Sequence, residues 1–421
     1  MFKFLHAADI HLDSPLHKLD YYEGAPVDEL RQATRRAFEN LVELAISEAV
    51  AFVLIAGDLY DGDWKDYNTG LYFISQMSKL REANIPVYII AGNHDAASKI
   101  TKTLRLPEGV TLFSVEGAET FTLDTIGVAI HGQSFKSPAV RKNLVARYPQ
   151  QLSGYFNVGI LHTCATGREG HEPYAPCTIQ DLQSKGYDYW ALGHVHQHEV
   201  VLEDPLSVFP GNIQGRHIKE TGPKGCMLVS IDDRGDPSAA FRSVDVMRWV
   251  KVELDASGVE SGYEVVDLID QKLQELLEQN EGIPLIARVE VAGDCPAHDE
   301  LASNLDRWTN EIRSAAVDSS SGQVWIEKVK LRTSLPLENE STIFAEGPVG
   351  ELLRYIDEIP KDPDHVSVLT ESLKDLIKKL PKELKENTDA VSLEYTGSLA
   401  EVLGQIRQML LHRLMQRGDS V

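Results

Sequence analysis

The chain has little material for a disulfide framework, a membrane span or a basic surface. Its four cysteines, Cys164, Cys177, Cys226 and Cys295, are scattered, with no CxxC pair. That usage argues against a disulfide scaffold and a zinc knuckle and suits reduced thiols. No apolar run approaches the roughly 20 residues that a membrane helix needs. The opening Met1-Phe2-Lys3-Phe4-Leu5 reaches polar Asp9 without a long apolar region. No signal peptide is read there, and a cytoplasmic setting is expected. Basic residues number 41 against 64 acidic ones, a net charge of −23. Most of the excess lies past residue 250, where 33 acids face 18 bases. Such a chain is a poor general nucleic-acid binder, because phosphate contacts come from Lys and Arg. A DNA substrate would need metal ions, a local basic patch or a partner to supply the attraction.

What is present is a globular composition, 43% hydrophobic and 25% charged, spread over 421 residues. That length exceeds one ordinary core, so two or three domains are expected. There is no internal repeat and no low-complexity tract. Residues 2–8 read as a buried strand ending in Asp9-Ile10-His11, followed by a turn-rich loop from Asp13 to Asp28. A helix over about 28–48 places Leu30, Ala33, Ala37, Leu41 and Leu44 at helical spacing, with Arg35 and Arg36 on its solvated face. Phe52–Ala56 is a second buried strand, ending in Gly57-Asp58-Leu59-Tyr60-Asp61. A helix over about 68–83 leads to a third strand, 86–91, ending in Gly92-Asn93-His94-Asp95. From 110 to 232 short strands dominate: 110–113, 120–123, 128–130, 158–161, 189–192, 200–202 and 227–231. Two of them end in His131 and His162, and a third in Gly193-His194-Val195-His196.

Alternate side chains of an extended segment share a side, so His194 and His196 can face one site. Ligand sites of α/β sheets lie off the carboxyl ends of strands, where these motifs should converge. Together they offer Asp9, His11, Asp58, Asn93, His94, His162, His194 and His196. Two divalent cations roughly 3.5–4 Å apart need a shared carboxylate and about three further ligands each, and this set supplies that number. Its oxygen and nitrogen donors suit manganese, iron or zinc rather than calcium, and cysteine is absent. The glycine-rich turn Pro210–Arg216, with His217, Lys219 and Lys224 behind it, is either a solvated loop or a phosphate-contacting one. His6, His17, His131, His171, His198, His298, His365 and His412 lack a motif context and are discounted, with His198 nearest to the pair. Cys164, two residues past His162, reads as a small packed residue.

Residues 249–332 look like a separate α+β unit, with strands at 249–254, 284–291 and 323–330 and helices near 262–280 and 298–315. Pro336 suggests a boundary. Beyond it the chain is helical and charged, and a last helix over about 398–416 carries Leu399, Val402, Leu403, Ile406, Leu410 and Leu414 on one stripe. The expected domains are 1–245, 246–335 and 336–421.

In order and spacing, Asp9-x-His11, Gly57-Asp58, Gly92-Asn93-His94-Asp95, His162 and Gly193-His194-x-His196 resemble the calcineurin-like metallophosphoesterases. The opening FKFLHAADIHLDSPL, GDLYD and PGNIQGRH look like the SbcD-type DNA-repair exonucleases, particularly their YhaO-like branch. The resemblance covers about residues 1–245. It implies an α/β fold, a β-sandwich flanked by helices, with a small α+β capping domain and a helical C-terminal segment. It implies two metal ions, Mn2+ first among the options. Asp9, His11, Asp58 and His196 would hold one, and Asp58, Asn93, His162 and His194 the other. His94 would serve the leaving side, with Asp61 orienting it, and Arg216 is a candidate phosphate contact. The implied activity is metal-dependent DNA exo- or endonuclease chemistry. An SbcC-like coiled-coil ATPase and a homodimeric assembly are implied with it, and no membrane. Two other readings stand beside this one: a small-molecule phosphodiesterase or phosphatase of the same superfamily, and a non-catalytic regulatory subunit.

Overall fold

The computed structural model describes residues 1–14, 27–61, 67–97, 106–165, 174–336 and 348–362, with residues 365, 368, 403, 406, 407 and 410. The expected loop from Asp13 to Asp28 therefore lies largely outside the described residues, as does most of the expected helix 398–416. His17, His171 and His412 lie outside them too.

Alternation of buried strands and amphipathic helices builds the first sheet. In chain order it receives β1 (Phe2–Ala7), β2 (Phe52–Ala56), β3 (Val87–Ile90) and β4 (Val110–Leu112), joined through α1 (Val27–Ser47) and α2 (Tyr67–Glu82). A short α3 (Asn93–Ala97) opens directly after β3. These strands run parallel, and β2 and β3 are buried throughout, as strands covered on both faces must be. Ala37, Phe38, Leu41 and Ala45 of α1 and Phe73, Met77 and Leu80 of α2 cover one face.

The second sheet begins with β5 (Glu119–Leu123), β6 (Val128–Gly132), β7 (Phe156–His162) and, past α4 (Ile179–Gln183), β8 (Tyr189–Gly193). It ends with β9 (Glu199–Glu203) and β10 (Leu206–Phe209), in the order β5-β6-β7-β8-β10-β9. β11 (Gly225–Ile231) and β12 (Pro237–Ser243) return to the first sheet as antiparallel neighbours, giving β12-β11-β1-β2-β3-β4. Phe4, Phe52 and Ile90 of one sheet meet Ile130, Ile160 and Tyr189 of the other in a shared core. Phe4 stacks on Phe52 at 4.7 Å and takes the edge of Tyr189 at 5.3 Å. The protein is thus a mixed α/β fold with two six-stranded sheets flanked by helices.

A three-stranded sheet follows: β13 (Arg248–Asp255), β14 (Leu285–Asp294) and β15 (Val324–Ser334), with α5 (Gly262–Gln279) between its first two strands. The single helix expected over 298–315 is two, α6 (His298–Ser303) and α7 (Leu305–Ser319). Asn304 breaks it with φ −148° and ψ 68°, outside the helical region. Past residue 336 the described helix is α8 (Pro348–Glu358). By contacts the chain divides into two compact units. One comprises residues 1–252, 269–289 and 312–329, and the other 253–268, 290–311 and 330–421. In the second unit Trp308 is fully buried, its ring beside Gly262 and its indole N–H donating to Glu300 O at 2.9 Å.

Strands β10 and β12 and helix α4 were not expected. β12 pairs only along one edge and is half exposed, so its sequence carries no clear apolar alternation. Arg35, expected on a solvated face, instead forks onto the Asp13 carboxylate through Nε at 2.7 Å and through Nη2, and lies over the Tyr72 ring. Thr69 of α2 donates to the same carboxylate at 2.5 Å. Pairing of α1 to a loop acid, invisible to helical periodicity, is the reason for the difference.

Candidate metal centre

Five strand ends bring the candidate residues to one rim. The pairing of β1 with β2 continues past both strands: Asp9 N–H donates to Gly57 O, His11 N–H to Asp58 O and Leu12 N–H to Leu59 O, at 2.9–3.0 Å. Those loops can lie side by side only in a sharply turned backbone. Asp9, His11 and Asp58 have φ of 50°, 45° and 53°, and His194 has φ 105°. Non-glycine residues pay about 1–3 kcal/mol for such conformations, which cluster at functional sites. Two glycines make room. A Cβ on Gly193 would sit 1.9 Å from Ala56 O, and one on Gly92 2.2 Å from Asp58 Oδ1.

The side chains converge as the strand order requires. His11 Nε2 lies 3.3 Å from His196 Nε2 and 3.9 Å from Asp58 Oδ2. His196 Nε2 is 3.8 Å from Asp9 Oδ1, and His162 Nε2 is 3.4 Å from Asp58 Oδ2 and 2.9 Å from Asn93 Oδ1. Three groups of ligand atoms each fall within 4.8 Å: Asp9, His11 and His196; Asp58, His162 and His194; and His11, Asp58 and His94. Asp58 and His11 are shared between groups. Asp9 and Asp58 are buried, and among the described residues neither forms an ion pair with a lysine or arginine. Burial alone works against a cation on His162, but the Asp58 carboxylate outweighs it and lifts the ring to about 9. Buried carboxylates short of basic partners, facing imidazole nitrogens with no thiolate among them, fit divalent metal ions.

A family model described as calcineurin-like phosphoesterase matches residues 2–198, and one described as metallophosphoesterase YhaO, middle domain, matches 249–334. The uncharacterized metallophosphoesterase YhaO of Bacillus subtilis (strain 168) is 35% identical over 361 residues, 84% of this chain and 86% of its own length. The chain belongs to the calcineurin-like metallophosphoesterases. The DNA double-strand break repair protein Mre11 of Sulfurisphaera tokodaii is 25% identical over 268 residues, 61% of this chain and 66% of its own. Among solved structures, a dimetal phosphatase from Danio rerio aligns with 57% of this chain and 99% of its own at 11% identity, TM-score 0.37. Membership makes this metallophosphoesterase a hydrolase of phosphoester bonds with a dinuclear metal centre.

His94 and Asp61 lie beside the ligand cluster of this metallophosphoesterase. His94, with 40% of its side chain exposed, points Nδ1 at Asp61 Oδ1 across 2.6 Å. Asp61 also accepts from Ser14 Oγ at 2.5 Å and lies 3.6 Å from His11 Nδ1. Burial pushes the Asp61 carboxyl up, but the nearby His11 ring and the hydrogen bond from His94 more than offset it and hold it well below the usual range. The same bond raises His94. Asp95 does not touch His94. It accepts the backbone N–H groups of Leu59, Tyr60 and Gly92 at 2.9–3.1 Å, locking the ends of β2 and β3 together. Burial, then the Asp58 charge, raises Asp95 to about 6.

Sequence reasoning missed Glu220. Its buried carboxylate lies 2.7 Å from His196 Nδ1, and it accepts from Asn212 Nδ2 at 3.0 Å and Arg216 Nη2 at 2.9 Å. It thus leaves His196 Nε2 to face Asp9 and His11. Arg216 lies beside His196, its Nη2 3.1 Å from Nδ1, but its charge is taken up by Glu220. The signal was the spacing of four between Arg216 and Glu220, which reads equally as an ordinary surface pair. Lys224 Nζ donates to His196 O at 2.9 Å. Of the discounted histidines, His6 and His131 are buried in the sheets, and His198 lies over Phe241. Cys164 is buried.

Proposed function

We propose that this metallophosphoesterase is a metal-dependent DNA nuclease that hydrolyses the phosphodiester backbone. The observation that carries the reading is the His94–Asp61 pair at the mouth of the ligand cluster, a half-exposed acid placed beside buried ligands. Asp9, His11, Asp58 and His196 would hold one cation, and Asp58, Asn93, His162 and His194 the other. When bound, two divalent cations, Mn2+ in this reading, neutralise a phosphodiester and make water a nucleophile near neutral pH. The side chains do the rest. Glu220 holds His196 in one tautomer, and the main-chain N–H groups of His94 and His194 hold Asp58 and Asp9 at 2.9 Å. Asp61 keeps His94 protonated and aimed, so that Nε2 can donate to the departing oxygen.

Polymeric DNA is favoured over a small ester by the Mre11 relatives. An SbcC-like ATPase, a homodimer and a cytoplasmic setting belong to the same reading. So does the division into nuclease domain, capping domain and C-terminal docking segment at about residues 245 and 335. The test is Mn2+-dependent degradation of end-labelled single- and double-stranded DNA beside a generic phosphodiester, with His94→Gln as control. DNA cleavage abolished by His94→Gln supports the nuclease. Ester turnover with no DNA cleavage, even with the ATPase added, would move the assignment to a small-molecule phosphodiesterase.

A further inference from the structure

A chain with 64 acids in 421 residues contains no Asp or Glu from residue 125 to residue 168, the longest such gap it has. Within that gap lie Lys136, Arg141, Lys142 and Arg147, on the segment between β6 and β7. Lys136 is paired with Glu116 at 2.9 Å. Arg141, Lys142 and Arg147 are exposed, and none has an acidic partner among the described residues. Asp181, bound to the adjacent Asn143 Nδ2 at 2.9 Å, is also taken up by Thr178.

The segment starts at the metal cluster. Phe135 N–H donates to Ala91 O at 2.8 Å, and Ala91 N–H donates to Ser134 Oγ at 2.9 Å, directly before Gly92-Asn93-His94. The Phe135 ring meets His162 edge-on at 5.4 Å. Further along, Val140 O accepts from Ala175 N–H, and the neighbouring Tyr174 ring lies 5.4 Å from that of His194. Tyr148 closes the base, its hydroxyl accepting from Gln133 N–H and donating to Ile160 O. A basic segment with no acid of its own is therefore fixed at both ends to the strands that carry His94 and His162.

We propose that residues 136–147 form the track that receives the phosphate backbone of a nucleic-acid strand leading away from the metal cluster, with Arg141, Lys142 and Arg147 as its contacts. The proposal rests on the nuclease reading and says where an acidic chain finds its attraction for DNA.

The test uses the full chain with His94→Gln, so that DNA is not consumed, Mn2+ present, and a fluorescein-labelled single-stranded oligonucleotide read by anisotropy over a range of salt. Adding Arg141→Gln, Lys142→Gln and Arg147→Gln should weaken binding at least about tenfold at low salt. It should also flatten the slope of log Kd against log salt by about 2, at ~0.7 per phosphate contact. The same three changes in the otherwise unaltered chain should leave turnover of bis(p-nitrophenyl) phosphate and the melting temperature in place. Unchanged affinity and slope would overturn the track while leaving the nuclease standing. A His94→Gln chain that binds no oligonucleotide at any salt, beside an unaltered chain that hydrolyses the ester, would overturn the nuclease reading and the track with it. If the triple variant melts early, Lys142→Glu at its exposed position decides: unaltered affinity sinks the proposal.

Discussion

His6 and His11 stand five residues apart on the same strand and its extension, and both are fully buried. Burial lowers each to about 3. They differ in what surrounds the ring. His6 has Tyr189 Oη at 2.9 Å on one nitrogen and Leu192 O at 3.1 Å on the other, both neutral and both supplied by the fold. His131 is alike, between Thr120 Oγ1 and Asn157 Oδ1. His11 faces another imidazole and two carboxylates, groups that repel or compete until something positive joins them. Burial therefore does not distinguish a packed histidine from one placed to hold a cation; the chemistry of both ring partners does.

The sharpest way to break this contrast is Asp58→Ala, which removes the carboxylate shared between ligand groups. It should abolish stoichiometric Mn2+ binding by calorimetry and lower phosphodiester turnover more than about 10³-fold, several kcal/mol of charge stabilisation. His94→Gln should cost about 10² to 10³ in rate, the scale of a general acid, with metal content by elemental analysis unaltered. An active His94→Gln protein would reject the role. Glu220→Gln keeps the shape but loses the anion behind His196, and should weaken Mn2+ binding about 10- to 100-fold by titration. Tyr189→Phe, on the packing side, should cost about 1–3 kcal/mol in stability by denaturant unfolding and leave Mn2+ affinity in place. The last effect is in pH. The unfolded chain takes a proton on His6 near its ordinary 6.5, the folded chain only near 3. Stability should thus fall as pH drops between those values, and His6→Gln should flatten that part of the melting-temperature profile.

Much of the rim was legible because its residues follow one rule: a short apolar run, then a polar group, with a glycine between them at Asp58, Asn93 and His194. Asp9, Asp58, Asn93, His162 and His194 all sit where a buried parallel strand ends, so reading the strands brought together the residues that the structure clusters. The partners of these residues were not legible. Glu220 reaches His196 from 24 positions away, and Asp13 meets Arg35 and Thr69 across 22 and 56. Such contacts are set by how loops fold back, and periodicity carries no trace of them. Asp61 entered only through the resemblance, and its side chain does lie 2.6 Å from His94, whereas the sequence neighbour Asp95 turns to the main chain instead. Strand β12 and the break at Asn304 were missed because edge strands and helix interruptions leave weak apolar patterns.

The left-handed backbone at Asp9, His11, Asp58 and His194 has a consequence for laboratory evolution. Each position would fold more comfortably with glycine, and Asp9 and Asp58 would also shed mutual repulsion. A library selected for heat tolerance alone, in chelator, should enrich changes at these positions early, and its first winners would be well-folded proteins with no turnover.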